Sequence, residues 1–212
     1  MRGKFITVEG IEGVGKSTNI DFLSSIIEAK GFSVLRTREP GGTPMAERIR
    51  QMLLAHDEEP LPDIAELLLF FAARALHVNN TIQPALAAGT WVVCDRFTDA
   101  SLAYQGHGRG LGLERIKLMA DWVHQDLQPD LTLLLDAPPE IAMDRAEKRG
   151  EADRLDSEEA DFYQRVRDGY LGLAESEPER IAVLDASQDL AQVQVAIAVE
   201  INRLLDHNTN EE

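Results

Sequence analysis

The chain has 212 residues, 44% of them apolar and 27% charged, which is enough to bury one substantial core and too apolar for a disordered segment. A formal net charge of -16 argues against nucleic acid as a partner, whereas a small anion gathered by a few local cations stays open. Cys94 is the single cysteine, so no intramolecular disulfide can form, and no apolar run is long enough for a membrane span or a signal core; a cytoplasmic protein is expected.

Short β-branched and aliphatic runs alternate with stretches of helical period, the pattern of βαβ units around a parallel sheet. Strands are expected at 4–9, 32–37, 90–95, 130–136 and 180–185, apolar at nearly every position as strands covered on both faces are. Helices are expected at 16–30, 43–55, 62–88, 112–127, 138–148, 157–176 and 189–206. Gly31 suits the stop of the first helix, and Pro138 and Pro139 suit the first turn of the fifth. No Pro/Gly/Ser-rich linker divides the chain, so residues 1–212 are read as one domain.

Between the first strand and the first helix stands Gly10-Ile11-Glu12-Gly13-Val14-Gly15-Lys16-Ser17-Thr18, which fits the G-x-x-x-x-G-K-[ST] spacing in the context that motif requires. Its glycines let backbone N–H groups turn inward around phosphate oxygens, aided by the positive end of the helix dipole. Lys16 is placed to hold the β- and γ-phosphates, and the Ser17 hydroxyl to ligate Mg²⁺. Glu12 is out of keeping with a site for triphosphate alone, so it is read as facing a second substrate's hydroxyl or a metal.

At the carboxyl end of the second strand stands Arg38-Glu39-Pro40-Gly41-Gly42-Thr43, and at the end of the third Asp95-Arg96-Phe97. Ligands of open α/β sheets lie outside the carboxyl ends of strands, so both clusters are expected to border the crevice of the phosphate loop. Asp95, an acid after four apolar residues, calls for Mg²⁺ or an ion partner, and Arg96 offers a planar fork for phosphate.

These segments, with Ala100-Ser101-Leu102-Ala103-Tyr104-Gln105-Gly106, the run Pro129–Asp136, Arg154-Leu155-Asp156 and Phe162-Tyr163, resemble bacterial thymidylate kinases over nearly the whole chain. The resemblance implies a P-loop nucleoside monophosphate kinase fold: a five-stranded parallel sheet flanked by helices on both faces, with a small lid at about 145–156. It implies transfer of the ATP γ-phosphate to dTMP, with Mg²⁺, in a homodimer. Carried over residue by residue, Phe70 stacks on thymine, with Phe71 as the alternative, and Arg74 meets the edge of the base. Ser101 and Gln105 approach the base, Tyr104 disfavours a ribose hydroxyl, and Glu12 meets the 3′-hydroxyl. Arg38, Arg50 and Arg96 surround the acceptor phosphate, while Glu39 and Asp95 help orient metal or water. The phosphate loop carries no arginine, so the cation on the migrating phosphoryl group is expected in the lid, at Arg149 first and Arg154 second.

Two other functions share parts of this pattern. A deoxynucleoside kinase has the fold and the strand-end acid–arginine pair, but needs fewer cations around a neutral acceptor. A switch NTPase specific for guanine needs an N-K-x-D segment, and the sequence contains none.

Overall fold

The computed structural model describes residues 2–55, 60–149 and 159–209, the side chains of 149 and 207–209 excepted. Five parallel strands form one sheet in the order β2-β3-β1-β4-β5: β1 (Phe5–Glu9), β2 (Val34–Arg38), β3 (Trp91–Asp95), β4 (Leu131–Asp136) and β5 (Ile181–Asp185). All five strands fall within two residues of the ends expected from the sequence. The inner strands β1, β3 and β4 are buried almost throughout. The outer two depart from that expectation: Arg36 and Arg38 of β2 and Val183 of β5 are exposed, because an edge strand lacks a neighbour on one side.

The helices are α1 (Lys16–Ala29), α2 (Pro44–Leu54), α3 (Asp63–His77), α4 (Gln83–Ala87), α5 (Thr98–Ser101), α6 (Leu113–His124), α7 (Pro139–Arg149), α8 (Ala160–Ser176) and α9 (Leu190–Thr209). The single helix expected over 62–88 is interrupted by a widened π-turn at Val78–Ile82. Pro84 follows it, with no N–H to donate and a ring that would strike the preceding turn of a regular helix, so the widening accommodates it.

A second departure is α5, which runs on into a π-helical segment at Leu102–Gly108, where no helix was expected. Thr98, Ser101, Gly106 and Gly108 are poor helix formers, and packing against α8 and α6 offsets that. Gly108 matters there because a side chain at that position would run into the Phe162 ring.

The order β2-β3-β1-β4-β5 places the carboxyl ends of β1, β2 and β3 side by side. Those three ends carry Glu9 and the phosphate loop, Arg38–Glu39, and Asp95–Arg96.

Candidate active site

The loop after β1 leads into α1 through Gly15, which caps the helix with a left-handed φ of 88°. No side chain caps this end of α1 and its first turn holds no acid, so its N–H donors and positive dipole end face outward unopposed. The end of α2 differs: there the Thr43 hydroxyl accepts from Ala46 N–H, and Glu47 sits in the first turn. Lys16 folds back into the loop, its Nζ donating to the carbonyls of Gly10 at 3.2 Å and Ile11 at 2.9 Å. Burial lowers its pKa, the nearby Arg96 cation adds to that, and Glu12 and Asp95 oppose it. A buried ammonium held by carbonyls is ready to exchange them for phosphate oxygens.

A cleft of about 610 Å³ opens beside this loop. One wall comes from the loop after β2 and from α2, with Glu39, Pro40, Arg50 and Leu54. The helix α3 adds Phe70 and Arg74. The opposite wall is the Arg96–Gln105 segment, including Ser101 and Tyr104, and Glu12 closes the end next to the phosphate loop.

Arg96 stands at the centre of the charged end. Its backbone is left-handed, with φ 69°, a conformation that costs a non-glycine residue energy and recurs at functional sites. Its Nη2 donates to Glu12 Oε1 at 2.6 Å, and its guanidinium lies 4.7 Å from the centre of the Tyr104 ring. Burial opposes the charge of Arg96, but Tyr104 and Glu12 raise its pKa well above the usual value. The Phe97 N–H that follows this turn donates to Glu9 Oε1 at 2.7 Å, and the Tyr170 hydroxyl donates to Glu9 Oε2 at 2.8 Å. Burial, reinforced by Asp99, pushes the Glu9 carboxyl up to about 8.

At the other end Arg74 is 1% exposed. Its Nε donates to Glu39 Oε2 at 2.6 Å, and its Nη2 donates to Phe97 O and to Ser101 Oγ. Its Nη1 is buried and has no partner, an expensive state for a cation's donor in a cavity wall unless a ligand supplies an acceptor. The structure also distinguishes the two phenylalanines: Phe70 lines the cleft, whereas Phe71 is 2% exposed within the core. Gln105 Nε2 donates to Glu66 Oε1, which holds the glutamine against the cleft.

The remaining expected residues divide between the cleft and its surroundings. Arg38 does not line the cleft; it is half-exposed and pairs with Glu47 at 2.7 Å. Arg50 does line it and donates to Pro40 O at 3.1 Å. Both Glu39 oxygens are engaged, one by Arg74 and one by His77. Val14 is buried in the core, while Ser17 and Thr18 are exposed at the mouth of the loop. Asp95 Oδ1 is buried and lacks a hydrogen-bond partner. In the described part of the stretch expected as a lid, Arg145 donates to the carbonyls of Ala186 and Ser187 and Lys148 pairs with Asp144. The Arg149 side chain and all of Arg154 lie outside the described residues.

Three contributors escaped the reading of the sequence: Glu9, His77 and Tyr170. Glu9 left a trace, as an acid closing an otherwise apolar strand directly before the phosphate loop. His77 lies three residues after Arg74, a spacing that puts both on one helix face, but a lone histidine in an apolar run is ordinary. Tyr170 has no local signal, since it approaches Glu9 from 161 residues away.

Residues 8–197 match the family model described as thymidylate kinase. A thymidylate kinase of Methylococcus capsulatus is 55% identical over 203 residues, covering 96% of this chain and 97% of its own. One from Chromohalobacter salexigens is 56% identical over 205 residues, again at 96% and 97% coverage. Among solved structures, a thymidylate kinase from Ehrlichia chaffeensis superposes with a TM-score of 0.75 at 33% identity, over 95% of this chain and 99% of that one.

Proposed function

The chain belongs to the thymidylate kinase family, and from that premise we propose how the cleft divides between two substrates. The activity is transfer of the ATP γ-phosphate to dTMP, giving dTDP and ADP for dTTP synthesis. The loop from Gly10 to Thr18 takes the phosphates of ATP, through the open N–H groups of α1 and the buried Lys16 ammonium. dTMP lies in the 610 Å³ cleft, with its base between Phe70 and Arg74. The single observation that carries this placement is the unpartnered, buried Nη1 of Arg74 in the cleft wall. A guanidinium only donates, so it requires an acceptor such as the thymine O4. Ser101 and Gln105 flank the base, and Tyr104 stands against the sugar.

Glu12 and Arg96 meet the acceptor where it faces the phosphate loop. Their 2.6 Å pair presents one carboxylate for the 3′-hydroxyl and one planar fork for the acceptor phosphate. Arg50 joins Arg96 on that phosphate, and Arg38 does so by exchanging Glu47 for it. Phosphoryl transfer is governed by positioning and cations, so Lys16 and Arg96 hold donor and acceptor in line, and Arg149 or Arg154 of the lid completes the charge.

The residues present fit Mg²⁺. The buried Asp95 Oδ1 without a partner and the exposed Ser17 hydroxyl are hard oxygen donors near the phosphate loop. No cluster of three acidic, histidine or cysteine ligands exists among the described residues, which suits an ion that keeps waters and takes phosphate oxygens. When bound, Mg²⁺ offsets the charge of the β- and γ-phosphates.

A homodimer is part of the same reading. Leu68 of α3 and Leu118 and Trp122 of α6, on two helices that pack together, are 54%, 72% and 86% exposed and offer apolar surface to a second copy. The net charge of -16 leaves nucleic acid out, and no helix among the described residues is long and apolar enough to cross a membrane. A single buried cysteine suits the cytoplasm. A crystal grown with dTMP tests the placement: density for the base within hydrogen-bond reach of Arg74 Nη1 supports it, and density away from Phe70, Arg74 and Gln105 overturns it.

A further inference from the structure

His77 touches neither the cleft nor the phosphate loop, yet it is 0% exposed and fully hydrogen-bonded. Its Nδ1–H donates to Glu39 Oε1 at 3.0 Å, and its Nε2 lies 2.7 Å from the Thr37 hydroxyl. A side chain on Gly42 would run into the ring, so His77 is also wedged against the glycine turn of the loop after β2. Glu39 in turn grips Arg74 with its other oxygen, at 2.6 Å.

We propose that His77 is a positioning residue for acceptor discrimination, acting through Glu39 on the base-facing guanidinium of Arg74. A terminal carboxylate torsion is soft, so a glutamate held by one partner can turn about its last bond. With Arg74 on one oxygen and His77 on the other, the plane of Glu39 is fixed, and the Arg74 fork is fixed with it. Phe97 O and Ser101 Oγ hold only Nη2. The guanidinium is rigid and planar, so Nη2 on Phe97 O and Ser101 Oγ serves as a pivot, and the Phe71 and Phe97 rings hold one face. The bond from Nε to Glu39 then sets where the free Nη1 points about that pivot. That direction separates a base with a carbonyl at C4 from one with an amino group there, because two donors cannot bond each other. Thr37 belongs to β2 and Gly42 to the following loop, so the clamp ties the base end of the cleft to the sheet edge.

The inference rests on the reading that Arg74 addresses the acceptor base, and the test separates the two. Steady-state kcat and KM are measured on the full chain with Mg-ATP and either dTMP or dCMP, for His77→Leu, His77→Asn and Arg74→Met. Asparagine can place an N–H where Nδ1 stands; leucine cannot. The expected result for His77→Leu is about a tenfold rise in KM for dTMP and a similar loss of preference over dCMP, with KM for ATP unchanged. His77→Asn should return within about threefold of the parent. A purely architectural role would instead lower kcat equally for both acceptors and leave their ratio alone, and that result overturns the proposal. If Arg74→Met keeps the preference for dTMP, the base reading itself fails, and this inference with it. If Arg74→Met loses the preference and His77→Leu keeps it, only the role of His77 falls. Should His77→Leu not fold, Thr37→Val decides, since it keeps the ring but releases Nε2: a raised KM for dTMP supports the clamp and an unchanged one rejects it.

Discussion

Replacing Arg74 by methionine keeps most of its aliphatic volume and removes the cation from a site that is 1% exposed. Glu39, also buried, is then left with His77 alone. The Glu39 carboxyl is held below its usual pKa: burial raises it, and Arg74 followed by His77 more than offsets that. Breaking a buried pair from one side strands the other charge, which costs about 3–5 kcal/mol. For a chain of this size each kcal/mol moves Tm by about 2–4 °C, so Arg74→Met should melt about 6–20 °C lower than the parent. Most of that loss comes from the stranded carboxylate rather than from missing attraction. Arg74→Met combined with Glu39→Gln should therefore recover more than half of it. Thermal and urea unfolding of the four proteins measure the cycle, and a fixed amount of added dTMP should raise Tm less where Arg74 is absent. A loss below about 1 kcal/mol, or a double variant less stable than Arg74→Met alone, would mean that Arg74 does not offset the buried Glu39 charge.

Phe70→Ala should raise KM for dTMP by about 5- to 150-fold with little change in Tm, since stacking on a base is worth about 1–3 kcal/mol, whereas Phe71→Ala, in the core, should cost about 3–5 kcal/mol of stability. Kinetics and melting on the pair check this, and exchanged phenotypes would reverse the assignment. Lys16→Met should lower kcat at least about 100-fold without lowering Tm, because the folded chain already bears the cost of burying that ammonium. His124 is held down to about 4, chiefly by burial and then by the Arg74 charge. Its folded pKa lies below its unfolded value of 6.5, so the unfolded chain binds the extra proton first, and stability present at neutral pH is lost as pH falls from about 6.5 towards 4. Urea titrations at pH 7 and pH 5 should show that loss in the parent and a smaller one in His124→Asn.

The phosphate loop was legible because everything it needs is local: one strand end, fixed spacing, glycines and a helix start. The strand ends were legible for a related reason, since Asp95 and Arg96 interrupt an apolar run where a buried charge demands a partner. The base end was legible only through resemblance. Arg74 and Glu39 lie 35 residues apart and meet because the end of α3 packs beside the loop after β2, which no periodicity reports. The widened turns at Val78–Ile82 and Leu102–Gly108 were missed because a period of 3.6 does not anticipate an inserted residue per turn. Arg38 was expected on the acceptor phosphate, but in this structure Glu47 is near enough to hold it at the edge.

Transfer of labelled γ-phosphate from Mg-ATP to thymidine and to dTMP, offered separately to the purified chain, tests the assigned activity. A thymidylate kinase puts label in dTDP, none in thymidine, and releases little free phosphate when no acceptor is present. Label in thymidine alone would make the chain a nucleoside kinase, and rapid release of phosphate without any acceptor would make it an NTPase; either outcome rules out the assigned transfer to dTMP.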